Sequence, residues 1–129
     1  MKTGCDLFIC AKETTLIDVK ELQTQFNCKA VDKGRELLRL MESNLEGNAC
    51  ILLDKSITDM DWWTVLAMIY RQSFLNKVII LSNYYDVHTA ILAAKTGAYE
   101  YCYGESLGAT SLINTIKRAK KDPISDKNW

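Results

Sequence analysis

The sequence is poor in several residue types, and the lack of each one argues against a particular class of site or protein. It contains one histidine, His88, and one proline, Pro123, and its five cysteines include no CxxC pair. Because structural zinc sites draw on clusters of cysteine and histidine, we expect no zinc site. Sixteen basic residues balance sixteen acidic ones, so the net charge indicates neither nucleic acid nor an anionic membrane as a partner.

Long apolar runs are also missing. No run approaches the length that a transmembrane helix requires, and the first residues, MKTGCDLFIC, are too few and too polar for a signal peptide. The cysteines are odd in number and lie mostly inside short apolar runs, as expected of reduced thiols that serve as small core residues. The composition therefore predicts a cytoplasmic protein.

What the sequence does contain is a regular alternation of short apolar runs and amphipathic segments. Five runs, at residues 7–11, 28–31, 49–53, 78–81 and 99–103, are typical of strands, and each is followed by a helical pattern. Because parallel strands need crossover helices, this order predicts a doubly wound α/β fold with a five-stranded parallel sheet. We expect residues 1–121 to form one domain and residues 122–129, which lose the apolar periodicity, to form a linker or tail.

Local signals place several helix ends. Thr15 with Asp18 three residues later is similar to a capping box and predicts that the first helix starts there. Asp86 is expected to cap the fourth helix, and Gly97 to end it in a left-handed conformation. Trp62 and Trp63 begin the third helix; we expect Trp63 to pack inward and leave the direction of Trp62 open.

Asp54 directly follows the third apolar run, which reads ACILL at residues 49–53. In open α/β sheets the ligand crevice lies beyond the carboxyl ends of the strands, so a carboxylate at this point is a site candidate by position. The alternative is that Asp54 only opens a loop.

Three segments together resemble the receiver domains of bacterial response regulators. LLDKSITDMD at residues 52–61 resembles the third strand and its loop, and VIILS at residues 78–82 the fourth strand. AAKTGAYEY at residues 93–101 resembles the fourth helix and fifth strand, most of all in receivers attached to nitrogen-regulation-type transcription activators. The resemblance covers roughly residues 5–120. It implies a flavodoxin-like fold with strand order 2-1-3-4-5 and helices on both faces.

The resemblance also implies a phosphorylation pocket, which this sequence matches in part. Asp54 stands at the phosphoacceptor position and Ser82 at the hydroxyl position. The acidic pair that holds magnesium in the family falls on Ala11 and Lys12, followed by Glu13, and the lysine after the fifth strand is replaced by Gly104. We therefore expect no bound metal or other cofactor, with magnesium only if the chain is an ordinary phospho-switch. The predicted pocket around Asp54 consists of Lys12, Glu13, Ser56, Ser82 and Gly104.

Lys12 suggests a specific hypothesis for this pocket. Two unit charges about 4 Å apart interact by roughly 4 kcal/mol at an effective dielectric constant of about 20. A lysine beside Asp54 would therefore oppose a divalent cation and attract the carboxylate, and we expect the Lys12 ammonium to pair with Asp54. The alternative is a solvated loop lysine.

The resemblance further implies an output face. Tyr101 falls where the family carries a switch aromatic, and Tyr99 and Tyr103 are expected on the same strand face, which could support a homodimer through helix 4, strand 5 and helix 5. The basic run at residues 117–121 is read as a solvated helix end, with no direct contact to nucleic acid or membrane.

These expectations favour a non-enzymatic two-component signalling module with an incomplete phosphorylation pocket, acting through protein contacts with a histidine kinase or an output domain. A functional phosphoaspartate switch is the first alternative. A small flavodoxin-like enzyme or cofactor binder is the second, although no glycine-rich phosphate loop is present.

Overall fold

The apolar runs of the sequence form the strands of one parallel sheet. A computed structural model describes residues 5–44 and 48–122. The helices and strands, in chain order, are β1 (Leu7–Cys10), α1 (Val19–Gln25), β2 (Cys28–Val31), α2 (Gly34–Glu42), β3 (Cys50–Asp54), α3 (Trp62–Gln72), β4 (Lys77–Ser82), α4 (Val87–Thr96), β5 (Glu100–Tyr103) and α5 (Ala109–Lys121). A 3-10 helix (Gly104–Leu107) joins β5 to α5.

The strand order is β2-β1-β3-β4-β5, and every neighbouring pair is parallel. The predicted doubly wound fold is thus confirmed. The predicted linker at residues 122–129 lies outside the described residues, except for Asp122, which is the C-terminal cap of α5.

The core consists of two apolar layers, one on each face of the sheet. Residues alternate between the faces along each central strand, so that Ile51 and Leu53 of β3 face α2 and α3, while Leu52 faces α1 and α5. All five residues of β3 are buried, which explains why its sequence is apolar without alternation up to Asp54.

Three cysteines take the place of apolar residues in this core. Cys10, Cys50 and Cys102 are buried free thiols. Burial raises the pKa of Cys10 and Cys50 to about 12 and that of Cys102 to about 11, so these thiols stay protonated and unreactive near neutral pH. In the described part of the chain, no helix is both long and apolar enough to cross a membrane.

The helix ends follow the local sequence at some points and depart from it at others. Asp86 caps α4 by accepting a hydrogen bond from the Thr89 N–H, and Gly97 ends the helix at φ 87°, both as predicted. The predicted inward packing of Trp63 is wrong: Trp63 is 42% exposed and Trp62 is buried. Trp62 lies on the same helical stripe as the buried residues three, four and seven positions later, Val65, Leu66 and Ile69.

Candidate functional site

The candidate site lies at the carboxyl ends of β1, β3 and β4. In the sheet register, Cys10 is opposite Leu53 and Asp54 is opposite Leu81, so the residues that follow β1 pass beside the Asp54 side chain. Asp54 is only 1% exposed. A carboxylate so buried requires hydrogen-bond donors or a cation, because an isolated buried charge is costly.

Three donors, all from this chain and all neutral, satisfy the Asp54 carboxylate. The Ser56 N–H donates to Oδ1 at 2.8 Å, and the Lys12 N–H donates to Oδ2 at 3.1 Å. The Thr15 hydroxyl also donates to Oδ2, and Thr15 is itself buried. Both carboxylate oxygens are therefore occupied by the protein.

The predicted ion pair between Lys12 and Asp54 is not formed. The ion pairs described for residues 5–44 and 48–122 join Lys55 to Asp86, Arg118 to Glu100 and Lys120 to Asp6. Lys12 contacts Asp54 through its backbone N–H, while a turn closed by the Thr15 N–H and the Lys12 carbonyl at 3.0 Å brings the Thr15 hydroxyl to the carboxylate. A hydroxyl reaches this buried position at a smaller desolvation cost than an ammonium group.

The Thr15 contact also corrects the predicted start of α1. The helix begins at Val19, and its cap is Asp18, whose Oδ1 accepts a hydrogen bond from the Glu21 N–H at 3.0 Å. Thr15 is therefore not a helix cap. Its side chain lies in the loop between β1 and α1 and closes that loop over Asp54.

Asn83, just after β4, holds the same loop from the other side. Its Oδ1 accepts a hydrogen bond from the Leu16 N–H at 2.8 Å, and its Nδ2 donates to the Thr14 carbonyl at 3.0 Å. Residues 14–16 are thus held by hydrogen bonds at two points. Thr15 bonds to Asp54, and the backbones of Thr14 and Leu16 bond to Asn83. This segment, here called the closing loop, covers the carboxyl edge of the sheet.

The other predicted pocket residues lie near this edge in different roles. Ser56 contributes its backbone N–H, and Glu13 is exposed in the loop. The Ser82 hydroxyl donates to the Tyr84 carbonyl. Gly104 lies at φ 56°, in the left-handed region that favours glycine, and its N–H donates to the Asn83 carbonyl at 3.1 Å.

Lys55 forms a second set of contacts directly beside the site. Its ammonium group lies 3.0 Å from Oδ2 of Asp86 and 3.3 Å from the Thr89 hydroxyl. Asp86 accepts a further hydrogen bond from the Thr89 hydroxyl at 2.6 Å. The hydrogen bonds from Thr89 and Lys55 lower the pKa of Asp86 to about 2, so the pair is charged at neutral pH.

A cluster of aromatic rings lies next to this ion pair. Tyr85, Tyr101 and Tyr103 pack against one another with centroid distances of 4.8 to 6.1 Å. Tyr84, at 79% exposure, and Tyr85, at 54%, are largely in solvent. Tyr84, Tyr85, Tyr101 and Tyr103 are together called the tyrosine patch below.

Tyr99 is placed differently from the prediction. It precedes β5 and packs against the apolar layer of α1 and α5, whereas Tyr101 packs against the opposite layer. The Tyr99 hydroxyl donates a hydrogen bond to Asp122. The third ring of the cluster is instead Tyr85, which the alternation along β5 could not indicate because Tyr85 lies in the loop after β4.

The described ranges contain no cluster of the side chains that usually bind metal ions. Within residues 5–44 and 48–122, no group of three or more histidine, cysteine, aspartate or glutamate side chains is placed to hold a metal ion. Asp54 is the carboxylate at the carboxyl edge of β3, and the positions beside it are Ala11 and Lys12.

Comparison with known proteins gives structural matches only. No protein-family model matches the sequence, and no curated protein matches it. A response regulator receiver domain protein from Clostridium thermocellum is 27% identical, with a TM-score of 0.75 over 88% of this chain and 91% of that chain. A CheY-like receiver domain protein from Methanospirillum hungatei is 18% identical, with a TM-score of 0.76 and the same coverage of both chains.

A third structure is longer than this chain. NtrX from Brucella abortus is 19% identical, with a TM-score of 0.78, and the match covers 92% of this chain and 27% of NtrX.

Proposed function

The chain has the fold of a response-regulator receiver domain, and we propose that it is a two-component signalling module whose phosphorylation pocket is incomplete and which acts through protein contacts. The observation that carries this proposal is the state of Asp54. Its two carboxylate oxygens are occupied by Lys12, Ser56 and Thr15, and it lies beneath the closing loop. The aspartate therefore serves to anchor a loop.

The residues around Asp54 do not suit magnesium. Mg²⁺ prefers oxygen ligands in near-octahedral geometry and is usually bound by one or two carboxylates plus waters. Ala11 supplies no ligand, and the Lys12 side chain adds a positive charge in the same loop. A metal ion would also have to displace the Thr15 hydroxyl from Oδ2.

The pocket also lacks a cation for the phosphoryl oxygens. Phosphoryl transfer depends on positioning and on neutralisation of the charge on those oxygens. Gly104 occupies the position where the resemblance implies a lysine. A Cβ atom at Gly104 would meet no atom of the described residues within 4 Å, so no other side chain among them fills the space that the lysine would occupy next to the backbone. Lys55, the nearest lysine in sequence to Asp54, is engaged by Asp86.

The protein contacts are assigned to the α4–β5–α5 face. A groove of about 570 Å³ runs between α4 and β5 and is lined in part by Tyr101, which packs against the exposed rings of Tyr85 and Tyr103. Exposed aromatic residues are enriched at protein interfaces. We infer that this face receives a histidine kinase, an output domain or a second copy of the chain, in the cytoplasm, where the free cysteines stay reduced. No catalytic activity and no direct contact with nucleic acid or membrane are assigned to it.

Treatment with acetyl phosphate and magnesium, followed by intact-mass measurement, tests the proposal. We expect no stoichiometric phosphate-sized mass gain in the native protein and none in Asp54→Asn. A response regulator that is known to be labelled serves as the positive control. A mass gain in the native protein that is absent in Asp54→Asn would establish the functional phosphoaspartate switch instead. The observation that favours this alternative is the placement of Asp54 and Ser82 at the ends of β3 and β4.

A further inference from the structure

We propose that Lys55 and Asp86 form an ionic latch that positions the tyrosine patch, and so connect the carboxyl edge of the sheet to the inferred interaction face. The significance of this face rests on the proposed function, but the latch itself is a property of the fold. Three contacts carry the argument: the ion pair, the cap of α4, and the hydrogen bond that joins this cap to Tyr101.

The first end of the latch is fixed to the sheet beside Asp54. Lys55 follows Asp54 directly, and its backbone N–H donates to the Leu81 carbonyl of β4 at 3.0 Å. The backbone of Lys55 is thus held by β4, and its side chain reaches outward to Oδ2 of Asp86 at 3.0 Å.

The second end of the latch is the start of α4. Asp86 is the N-terminal cap of this helix, and the same Oδ2 that receives the Lys55 ammonium accepts hydrogen bonds from the Thr89 N–H at 3.3 Å and the Thr89 hydroxyl at 2.6 Å. Thr89 is buried. Lys55 therefore holds the position of the cap as well as pairing with its charge.

From the cap, the connection continues to the aromatic cluster. The backbone N–H of Asp86 donates to the Tyr101 hydroxyl at 3.1 Å, and this hydroxyl in turn donates to the Tyr84 carbonyl at 3.4 Å. Because Tyr101 also packs against Tyr85 and Tyr103, a displacement of Asp86 shifts the hydroxyl end of Tyr101 and with it the neighbouring rings.

An ionic latch and simple packing predict different responses to salt. The side chains of Lys55 and Asp86 are 32% and 35% exposed, so the pair is open to screening by ions. The Debye length falls from about 30 Å at about 0.01 M salt to about 3 Å at about 1 M. Packing of the Tyr101 ring against the core is not weakened by salt in this way.

Hydrogen exchange of the Asp86 amide tests the latch, because this N–H donates to Tyr101. In the native protein we expect exchange to become faster by about two- to five-fold between about 0.01 M and about 1 M salt, the range expected for a partly exposed ion pair. Lys55→Gln should show the faster rate already at low salt and little further response. The Leu112 amide, in α5, serves as the internal reference.

Three variants separate the ion pair from its surroundings. Asp86→Asn keeps a good helix cap but removes the charge, so it should behave like Lys55→Gln. Lys55→Arg keeps the charge and should retain the native salt response. Lys117→Gln makes the same charge change on the exposed surface of α5 and should leave the Asp86 amide unaffected.

The ring signals of Tyr85, Tyr101 and Tyr103, measured by NMR, form the second readout, and they should move together in Lys55→Gln and in Asp86→Asn. If both variants leave the Asp86 exchange rate and the tyrosine signals as Lys117→Gln does, the latch is overturned. Labelling of Asp54 by acetyl phosphate would overturn the proposed function without altering this result, so the two failures are distinguishable.

Discussion

The hydroxyl of Thr15 donates a hydrogen bond to Oδ2 of Asp54 across 39 residues of sequence, and this contact places the loop after β1 over the carboxyl end of β3. The Asp54 carboxylate thereby has a structural role. In this chain the loop and the aspartate stabilise each other, and access to the aspartate depends on the loop.

Removing the Thr15 hydroxyl should destabilise the protein. In Thr15→Val the shape of the side chain is kept, but the buried Asp54 carboxylate loses one of its three donors, and a hydrogen bond to a charged group contributes about 1.5–3 kcal/mol. We expect a loss of this size in the free energy of unfolding measured by urea denaturation. Thr15→Ser retains the hydroxyl and is the matched control. Equal stability of Thr15→Val and the native protein would contradict the anchoring role of Thr15.

Asn83 should control the closing loop without contacting Asp54. Asn83→Ala removes the acceptor of the Leu16 N–H and the donor to the Thr14 carbonyl, so the loop keeps only its attachment to Asp54. We expect hydrogen exchange of the Leu16 amide to become at least several-fold faster, while exchange in β3 is unchanged.

The matched control for this variant is Asn114→Ala, which makes the same substitution on the exposed surface of α5. If the Leu16 amide exchanges as slowly in Asn83→Ala as in the control, the two side-chain hydrogen bonds of Asn83 are not what holds the closing loop.

The fold was predictable because its signals are local and repeated. Five apolar runs mark the strands, and the three inner strands, β1, β3 and β4, are almost entirely buried, as their runs without alternation indicate. The cap at Asp86 and the left-handed end at Gly97 each depend on one residue in its immediate surroundings, and both were predicted correctly. The direction of Trp62 was also available from the sequence, because it shares a helical stripe with Val65 and Ile69.

The contacts at the candidate site could not be predicted in the same way. Thr15 matched a local capping pattern, and spacing alone does not reveal that a hydroxyl bonds instead to a carboxylate 39 residues away. The pairing of Lys55 with Asp86 spans 31 residues and depends on the direction of two side chains. The prediction that Lys12 contacts Asp54 was correct, but the contact is made by the backbone N–H of Lys12 and not by its ammonium group.

Restoring the acidic pair should create a magnesium site. In the double variant Ala11→Asp/Lys12→Asp, two carboxylates join Asp54 at the edge of the sheet and the positive charge of Lys12 is removed, so the donor set becomes one that suits Mg²⁺. We expect calorimetric titration to detect binding at millimolar magnesium in this variant and none in the native protein.

The control for charge alone is Ala11→Asn/Lys12→Gln, which removes the lysine without adding a carboxylate. Magnesium binding by the native protein, abolished in Asp54→Ala, would show that the native residues already form a metal site at Asp54. If the double variant binds no magnesium while remaining folded, the absent acidic pair is not the reason for the lack of a site.

The ionised form of Asp86 should contribute to stability only above acidic pH. Hydrogen bonds from Thr89 and Lys55 lower its pKa from the ordinary value of 3.8 to about 2. A group whose pKa is lower in the folded state stabilises the fold above its ordinary pKa, and this contribution is lost as the pH falls through the folded-state value. The difference in free energy of unfolding between the native protein and Asp86→Asn should therefore be constant above about pH 5 and should shrink from about pH 4 to about pH 2.

Urea denaturation at a series of pH values measures this difference directly. Lys55→Gln removes one of the two residues that lower the pKa of Asp86, so the difference in free energy of unfolding between this variant and the native protein should shrink over the same pH interval. Lys117→Gln on the surface of α5 should not show this dependence. Because protonation of Asp86 breaks its pairing with Lys55, and about half of Asp86 is protonated at a pH equal to its folded-state pKa of about 2, the difference in Asp86 amide exchange rate between the native protein and Lys55→Gln should be smaller at about pH 2 than at about pH 5. A difference between the two proteins that is as large at about pH 2 as at about pH 5 would mean that Lys55 acts on α4 through packing of its side chain and not through its charge.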